Sequence, residues 1–436
     1  ACEYAKTIPA AFSQREGCHY AFDKTEGVWV KQERGEALCK VAKFIQSHST
    51  ETIQASLLSK RTPSVCGEIL KMVEGLAPMG KPSSREIIAV ANGVLDLSGK
   101  APVLRPFEKE DWLTSKLQWS YDPKAKCDRF LNELVKPALG EQDDVDLLQR
   151  DFGRQVVAGN KAQTISVLVG EGGSGKTTLL SIFERALGEG RVAHLRTDKL
   201  TTRFETHAFL EKSTLVGKDV AQNYLANSGA SVLKSLTGSD LLESEKKYGG
   251  KYKLRGDYFV VITANTRLMI NIQGDEEAWR RRLICYNFTR KVAKRIADLA
   301  EELLAEEGSG IFTWFVQGYS KHRDELAQHG RLVLTDAQQE RVDRWIDESQ
   351  GVKSFLVANV KAGEGTLTVE ELYKSFKEHA KAKGWKLMTI EAFGTELHTQ
   401  MGEVFQAERS NHIKRGRGEV RGYRDVIFKN STPVKK

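Results

Sequence analysis

Residues 169–180 read VGEGGSGKTTLL, four glycines and one lysine between two apolar runs. From Gly170 to Thr177 the stretch satisfies G-x-x-x-x-G-K-[ST] at every fixed position, with TISVLVG before it and TTLLSIFERAL after it. Glycines let successive backbone N–H groups turn toward one point, and a helix beginning near Lys176 adds its positive end there. The expected ligand is a nucleoside triphosphate held by Gly170, Glu171, Gly172, Gly173, Ser174, Gly175, Lys176, Thr177 and Thr178. Lys176 would reach the β and γ phosphates, and the Thr177 hydroxyl would sit on Mg²⁺. This motif alone does not separate a small-molecule kinase from a switch or a motor.

Composition narrows the setting. At 436 residues the chain is long enough for two to four domains. Hydrophobic residues make up 40% and charged residues 28%, with no run of eighteen apolar residues and no signal-peptide pattern. A soluble, cytoplasmic protein without a membrane partner is expected. The first residue is Ala1 rather than Met, which points to a fragment or a processed chain. Six cysteines are scattered without a C-x-x-C pair, arguing against a disulfide framework or a zinc knuckle. The formal charge of +8 is concentrated at the end, where residues 409–436 hold nine basic residues and two acidic ones.

No internal repeat or low-complexity segment stands out. Residues 1–84 alternate a strand-like piece, GVWVKQ, with helical patterns and end in the linker KPSS. A hairpin follows in IIAVANGVLDLSG, with its turn read at Asn92-Gly93, and residues 128–160 are helical in pattern. From 164 to 290, TISVLVG, STLVGKDV, DYFVVITAN and RLICYNF alternate with helical runs, the pattern of an α/β domain with a central sheet. Residues 292–345 are helical. Beyond 351, three amphipathic helices and a basic two-stranded end suggest a winged helix. The expected division is 1–84, 85–150, 151–290, 291–345 and 346–436.

Hydrolysis needs a carboxylate at a strand end on the metal side, and STLVGKDV ends on Asp219; Val220 and Ala221 follow, so there is no adjacent second acid. YFVVITA ends at Asn265, whose amide could bond the γ-phosphate or the attacking water. Between them, KSLTGSDLLESEKKYGGKYKLRGD reads as a long hairpin too charged to bury, with Lys246, Lys247, Lys251 and Lys253 crowding its tip. Such lysines supply sequence-independent affinity for phosphates. Trp279-Arg280-Arg281-Arg282 precedes the last strand, and an arginine presented to a neighbouring subunit's nucleotide stabilises charge on the transferred group.

The stretch from Gly170 to Phe288 resembles superfamily 3 helicases of the AAA+ type, specifically phage and plasmid primase–helicases related to the poxvirus primase–helicase. The order of features is shared: a Walker A loop, a Walker B strand ending at Asp219, the turn Leu236-Thr237-Gly238-Ser239-Asp240, the hairpin Lys247-Tyr248, a sensor at Asn265, and an arginine pair before an apolar strand. ANGVLDLSG, Asp111-Trp112-Leu113-Thr114 and Tyr121-Asp122-Pro123 look like the domain preceding the helicase in these proteins, so the likeness covers about residues 85–428. It implies an AAA+ P-loop ATPase between a mixed N-terminal domain and a winged-helix-like C-terminal domain, using ATP and Mg²⁺. It also implies a homo-oligomeric, hexameric ring moving 3′ to 5′ on single-stranded or forked DNA during replication of a mobile element, with a primase half or partner. Catalytic roles carry over to Lys176, Asp219, Asn265, Arg281 and Arg282, and DNA contacts to Lys246, Lys247, Tyr248, Lys251 and Lys253. Two departures stand out: the family's Asn-x-x-Pro is Asn265-Thr266-Arg267-Leu268, and Walker B has a single acid.

In a winged helix, Ile390 to Met401 would lie toward a groove, and Lys414, Arg415 and Arg417 would form a wing reaching phosphates. Two rival functions are an ATP-switched initiator or loader that binds DNA without unwinding it, and a P-loop kinase with a lid and an acceptor pocket.

Overall fold

The computed structural model describes all residues except 15, 52–59, 83, 197–198, 201–204, 223, 227–228, 246–250, 271–274, 291–295, 384, 386, 417 and 430–436, with backbone alone at 50, 51, 245, 251 and 252. The chain divides into two units. One comprises Ala1–Asp219, Ser235–Asn265 and Tyr286–Val333; the other comprises Val220–Lys234, Thr266–Cys285 and Leu334–Lys436.

The first unit begins with α1 (Cys2–Thr7) and an antiparallel sheet of β1 (Ala10–Ser13), β2 (Cys18–Asp23) and β3 (Val28–Gln32), followed by α2 (Arg34–Glu51) and α3 (Pro63–Leu76). Thr62 starts α3 by accepting the Val65 N–H at 3.3 Å, with Pro63 in the first turn where no amide is needed. Tyr4, Val41, Leu70 and Val73 form a buried core there. A second antiparallel sheet consists of β4 (Ile87–Val90), β5 (Gly93–Asp96) and β6 (Val103–Arg105). Its turn is Ala91-Asn92, one residue earlier than expected, because Gly93 already pairs with Val90, and a Cβ on Gly93 would stand 2.5 Å from the Arg105 carbonyl. A turn of π-helix at Phe130–Val135 then runs into α4 (Lys136–Leu139) and α5 (Gln142–Gly153).

In chain order there follow β7 (Ile165–Gly170), α6 (Lys176–Leu187), β8 (Val192–His194), β9 (Thr214–Gly217), α7 (Gly229–Thr237), β10 (Leu241–Glu245), β11 (Lys251–Arg255), β12 (Phe259–Ala264), α8 (Glu276–Arg280), β13 (Leu283–Phe288) and α9 (Leu299–His329). The fold is mixed α/β around a five-stranded sheet ordered β13-β7-β12-β9-β8, in which β7–β12, β12–β9 and β9–β8 pair in parallel. Ile165, Val167, Leu168, Leu215, Val261 and Ile262 are fully or almost fully buried, as both faces of such a sheet are covered. The long connection from β9 to β12 contains the expected hairpin as β10–β11. Strand β8 was not anticipated: it is three residues long and only Ala193 in it is buried, so it has no periodicity to read.

A satisfied polar cluster lies within this core. Asp151 is 0% exposed; its Oδ1 accepts Arg154 Nε at 2.9 Å and Nη2 at 2.7 Å, and its Oδ2 accepts Ser166 at 2.6 Å and Tyr286 at 3.0 Å. Charge and phenol are thus both paired, the condition on which burying them is tolerable. Helix α9 crosses α5 closely, since a Cβ on Gly318 would come 1.9 Å from the Gln149 carbonyl.

The second unit holds α10 (Asp336–Ser349), α11 (Gly351–Asn359), β14 (Val360–Thr368), α12 (Val369–Lys383), α13 (Ile390–Phe405), β15 (Arg409–Arg415) and β16 (Gly418–Phe428). The three helices α11 to α13 and the ribbon β15–β16 fall where the periodicity put them, and β14 adds a third strand, giving the order β14-β16-β15. Leu372, Phe376, Phe393 and Leu397 turn inward with Phe355, Met401 and Tyr423 to form the core. Among the described residues no helix is long and apolar enough to cross a membrane.

Candidate functional site

The glycine-rich loop joins β7 to α6, and its shape follows from its glycines. Gly173 and Gly175 take φ of 82° and 93°, the left-handed region that favours glycine. At Gly170 a Cβ would meet the Phe288 carbonyl oxygen at 2.3 Å, so the chain can leave the sheet beside β13 only without a side chain. Helix α6 begins at Lys176, so its unpaired N–H groups face the loop. Lys176 is 4% exposed, with Nζ donating to the carbonyls of Gly170 at 2.5 Å and Glu171 at 3.0 Å and lying 3.3 Å from Ser174 Oγ. Burial lowers its pKa, and the Asp219 carboxylate opposes that.

Parallel pairing carries the other two groups to the same edge. Ala264 is in register with Val169, so Asn265 stands level with the start of the loop, and its Oδ1 lies 3.4 Å from Lys176 Nζ. Asp219 lies two residues beyond β9, in a left-handed conformation with φ of 48° fixed by its N–H donating to Thr263 Oγ1 at 3.0 Å. A cavity of about 690 Å³ opens over these groups. The loop from Gly172 to Thr178, Asp219 and Asn265 line its polar side.

Its remaining wall was not foreseen: Glu133, Leu134, Pro137 and Ala138 from the π-turn and α4, Arg290 just past β13, and Ile296 and Leu299 at the start of α9. Carboxylates of α9 fasten this wall. Glu307 accepts the N–H groups of Arg129 and Phe130 at 2.9 and 2.8 Å, and Arg129 reaches Glu306 at 2.5 Å and Glu133 at 2.8 and 3.0 Å. The Arg129 bond holds the Glu133 carboxyl below its usual range. FLNELVKPAL is visibly apolar, but no spacing rule ties it to a loop forty residues later. Apolar surface opposite a nest of N–H donors, one buried ammonium, and an exposed hydroxyl and carboxylate at Thr177 and Asp219 fit the base, phosphates and Mg²⁺ of a bound nucleotide.

The other expected site residues are placed as follows. Lys246, Lys247, Tyr248 and Arg417 lie outside the described residues, and Lys251 is described by backbone alone. Lys253 is exposed on β11, opposite Glu243. The hairpin root is bonded firmly: Ser239 N–H to the Gly256 carbonyl at 2.7 Å, Gly256 N–H to Asp240 at 2.8 Å, Tyr258 N–H to Leu236 at 3.0 Å. In the second unit Arg280 is ion-paired with Asp343, Arg281 is exposed, and Arg282 is 7% exposed with Nη1 donating to the Ala278 carbonyl at 3.0 Å. Arg267 pairs with Glu348 at 2.8 Å. On the ribbon Lys414 is exposed, whereas Arg415 forks onto Glu371 at 2.9 and 3.0 Å and donates to the Thr366 carbonyl at 2.7 Å.

Two families match parts of the chain. One, described as D5 N terminal like, covers residues 12–136, and one described as a family of unknown function (DUF5906) covers residues 168–282. No curated protein matches. Among solved structures, an A-form apo structure of the NrS-1 C-terminal region aligns with a TM-score of 0.47 at 12% identity over 97% of each chain; a further apo structure of that region gives 0.44 at 11% over 97% of each. Those scores are too low to bear on function.

Proposed function

We propose that the chain is the ATP-driven motor of a replication helicase of the superfamily 3, AAA+ type, from a phage, plasmid or similar element, acting in the cytoplasm of the host cell. The observation that carries this reading is the convergence of the loop, Asp219 and Asn265 from β7, β9 and β12 on one cavity, with a charged hairpin inserted between the two strands that bear Asp219 and Asn265. ATP with Mg²⁺ would supply the bond whose cleavage drives movement. Lys176 would turn its ammonium from the loop carbonyls to the phosphates, Thr177 and Asp219 would hold the metal side, and Asn265 would orient the attacking water. Glu133 also lines the cavity, but Arg129 engages both its oxygens and lowers its basicity, which suits a wall better than a general base.

Arg281 is the finger residue in this scheme, serving the nucleotide of a neighbouring copy in a hexameric ring, since Arg282 is buried and donates to the Ala278 carbonyl of the preceding helix α8. Movement of the hairpin would pull single-stranded DNA through the ring in the 3′ to 5′ direction. In the second unit, the order α11-β14-α12-α13-β15-β16 with β16 central supports a winged helix, with Lys414 on its wing. A primase half or partner would complete the machine. Lys176→Ala should remove hydrolysis and displacement of a strand from a 3′-tailed duplex. Wild-type protein that binds and hydrolyses but displaces nothing would mark an initiator or loader instead.

A further inference from the structure

Below the N-terminal ends of β7 and β12 lies a second cavity, of about 510 Å³, reached by Lys161, Arg255, Arg323 and His322. Strand β7 separates it from the nucleotide cradle by its six residues, about 20 Å at 3.3 Å each. Its charges do not balance internally. Of the two lining carboxylates, Asp257 pairs with Arg85 at 2.6 Å, and Glu86 accepts the Tyr319 hydroxyl at 2.6 Å and keeps its charge, so the lining cations Lys161, Arg255 and Arg323 outnumber it. Arg323 is fixed by backbone carbonyls, Leu97 at 3.0 Å and Lys100 at 2.6 Å, and its Nε lies 3.5 Å from the exposed Asp324 carboxylate. Lys161 and Arg255 are exposed, and among the described residues neither lies within ion-pair distance of a carboxylate. His322 is 5% exposed, and its Nδ1 faces the Glu325 carboxylate at 3.7 Å.

We propose that this cavity binds a phosphate group of a nucleotide. The exposed cations Lys161 and Arg255, beside the fixed guanidinium of Arg323, form the donor set that phosphate oxygens require. Its position adds a role, because Ser239 is where the chain enters the β10–β11 hairpin from α7, and Arg255 and Asp257 are where it returns to β12. A phosphate seated there would be felt at the hairpin root. The phosphate could belong to a strand drawn along the hairpin, an arm that rests on the motor reading, or to a free mononucleotide, an arm that does not.

The test uses the full chain and the double variant Lys161→Gln/Arg255→Gln, with ADP saturating the cradle and unchanged ADP affinity as the check on folding. Probes are fluorescent (dT)20 by anisotropy and dTMP by calorimetry. A loss of about tenfold in (dT)20 affinity, with the salt slope smaller by about two, assigns the site to strand backbone. Loss of dTMP binding with (dT)20 unchanged assigns it to a free nucleotide. If both probes bind both proteins alike, or neither probe binds the wild type, the site is refuted. Should Lys176→Ala retain full hydrolysis while the double variant still loses a probe, the motor reading fails and the phosphate site stands.

Discussion

Gly256→Ala should uncouple the hairpin from the sheet without touching the nucleotide site. A Cβ at 256 would lie 1.8 Å from the Ser235 carbonyl oxygen, 2.8 Å from its carbon and 3.1 Å from Leu236 Cα. All three are backbone atoms, so no rotamer change relieves the clash. The chain must retreat by more than an ångström to reach ordinary contact, which disturbs the three root hydrogen bonds at 2.7, 2.8 and 3.0 Å. At about 0.5–1.5 kcal/mol each, their loss costs roughly 2–4 kcal/mol. The expected variant is destabilised by that amount in urea titration, retains basal ATP hydrolysis, and loses stimulation by single-stranded DNA. A variant as stable as wild type and still stimulated would show that the hairpin is not anchored through this contact or does not couple to hydrolysis.

Two further outcomes follow from the second unit. Burial raises the Glu396 carboxyl on α13 to about 7, so the folded state holds a proton that the unfolded chain releases near its ordinary value of 4.5. Its stabilising contribution is complete below that value and lost as pH climbs to about 7; at about 1.4 kcal/mol per unit, ionisation costs at most about 3 kcal/mol. Glu396→Gln should therefore gain thermal stability over wild type as pH rises from 5 to 8, and a constant gap would refute the assignment. On the ribbon, Lys414→Ala should weaken duplex binding and reduce the salt slope by about one with no change in stability. Arg415→Ala should instead cost about 0.5–1 kcal/mol of stability, the modest value of a half-exposed pair, measured by denaturation; the reverse pattern would exchange the two roles.

How much of this was readable along the chain depended on the range of the interactions involved. The glycine-rich loop and its flanking strand and helix are contiguous, and each glycine answers a local need, at φ of 82° and 93° or against the Phe288 carbonyl. The strands of the central sheet with unbroken apolar runs were legible for the same reason, whereas β8 and β14 were not: one is too short and the other, VKAGEGTLT, is too polar to show a period. The cavity wall is assembled from 133–138, 290 and 296–299, segments far apart in the chain, the first of them held to α9 by contacts such as those of Arg129 with Glu306 and of Glu307 with the Arg129 N–H. Side-chain availability was equally hidden, since neighbouring arginines at 281 and 282 read alike and yet differ in exposure.

Sharing of each nucleotide between copies is tested most directly by mixing Arg281→Ala protein with Lys176→Ala protein and measuring ATP hydrolysis. Each alone should be inactive, one lacking the finger and the other the cradle lysine. In mixed rings about a quarter of interfaces pair an intact cradle with an intact finger, so turnover should recover to roughly that fraction of wild type. A mixture no more active than its parents, or Arg281→Ala protein hydrolysing ATP normally alone, would contradict the account.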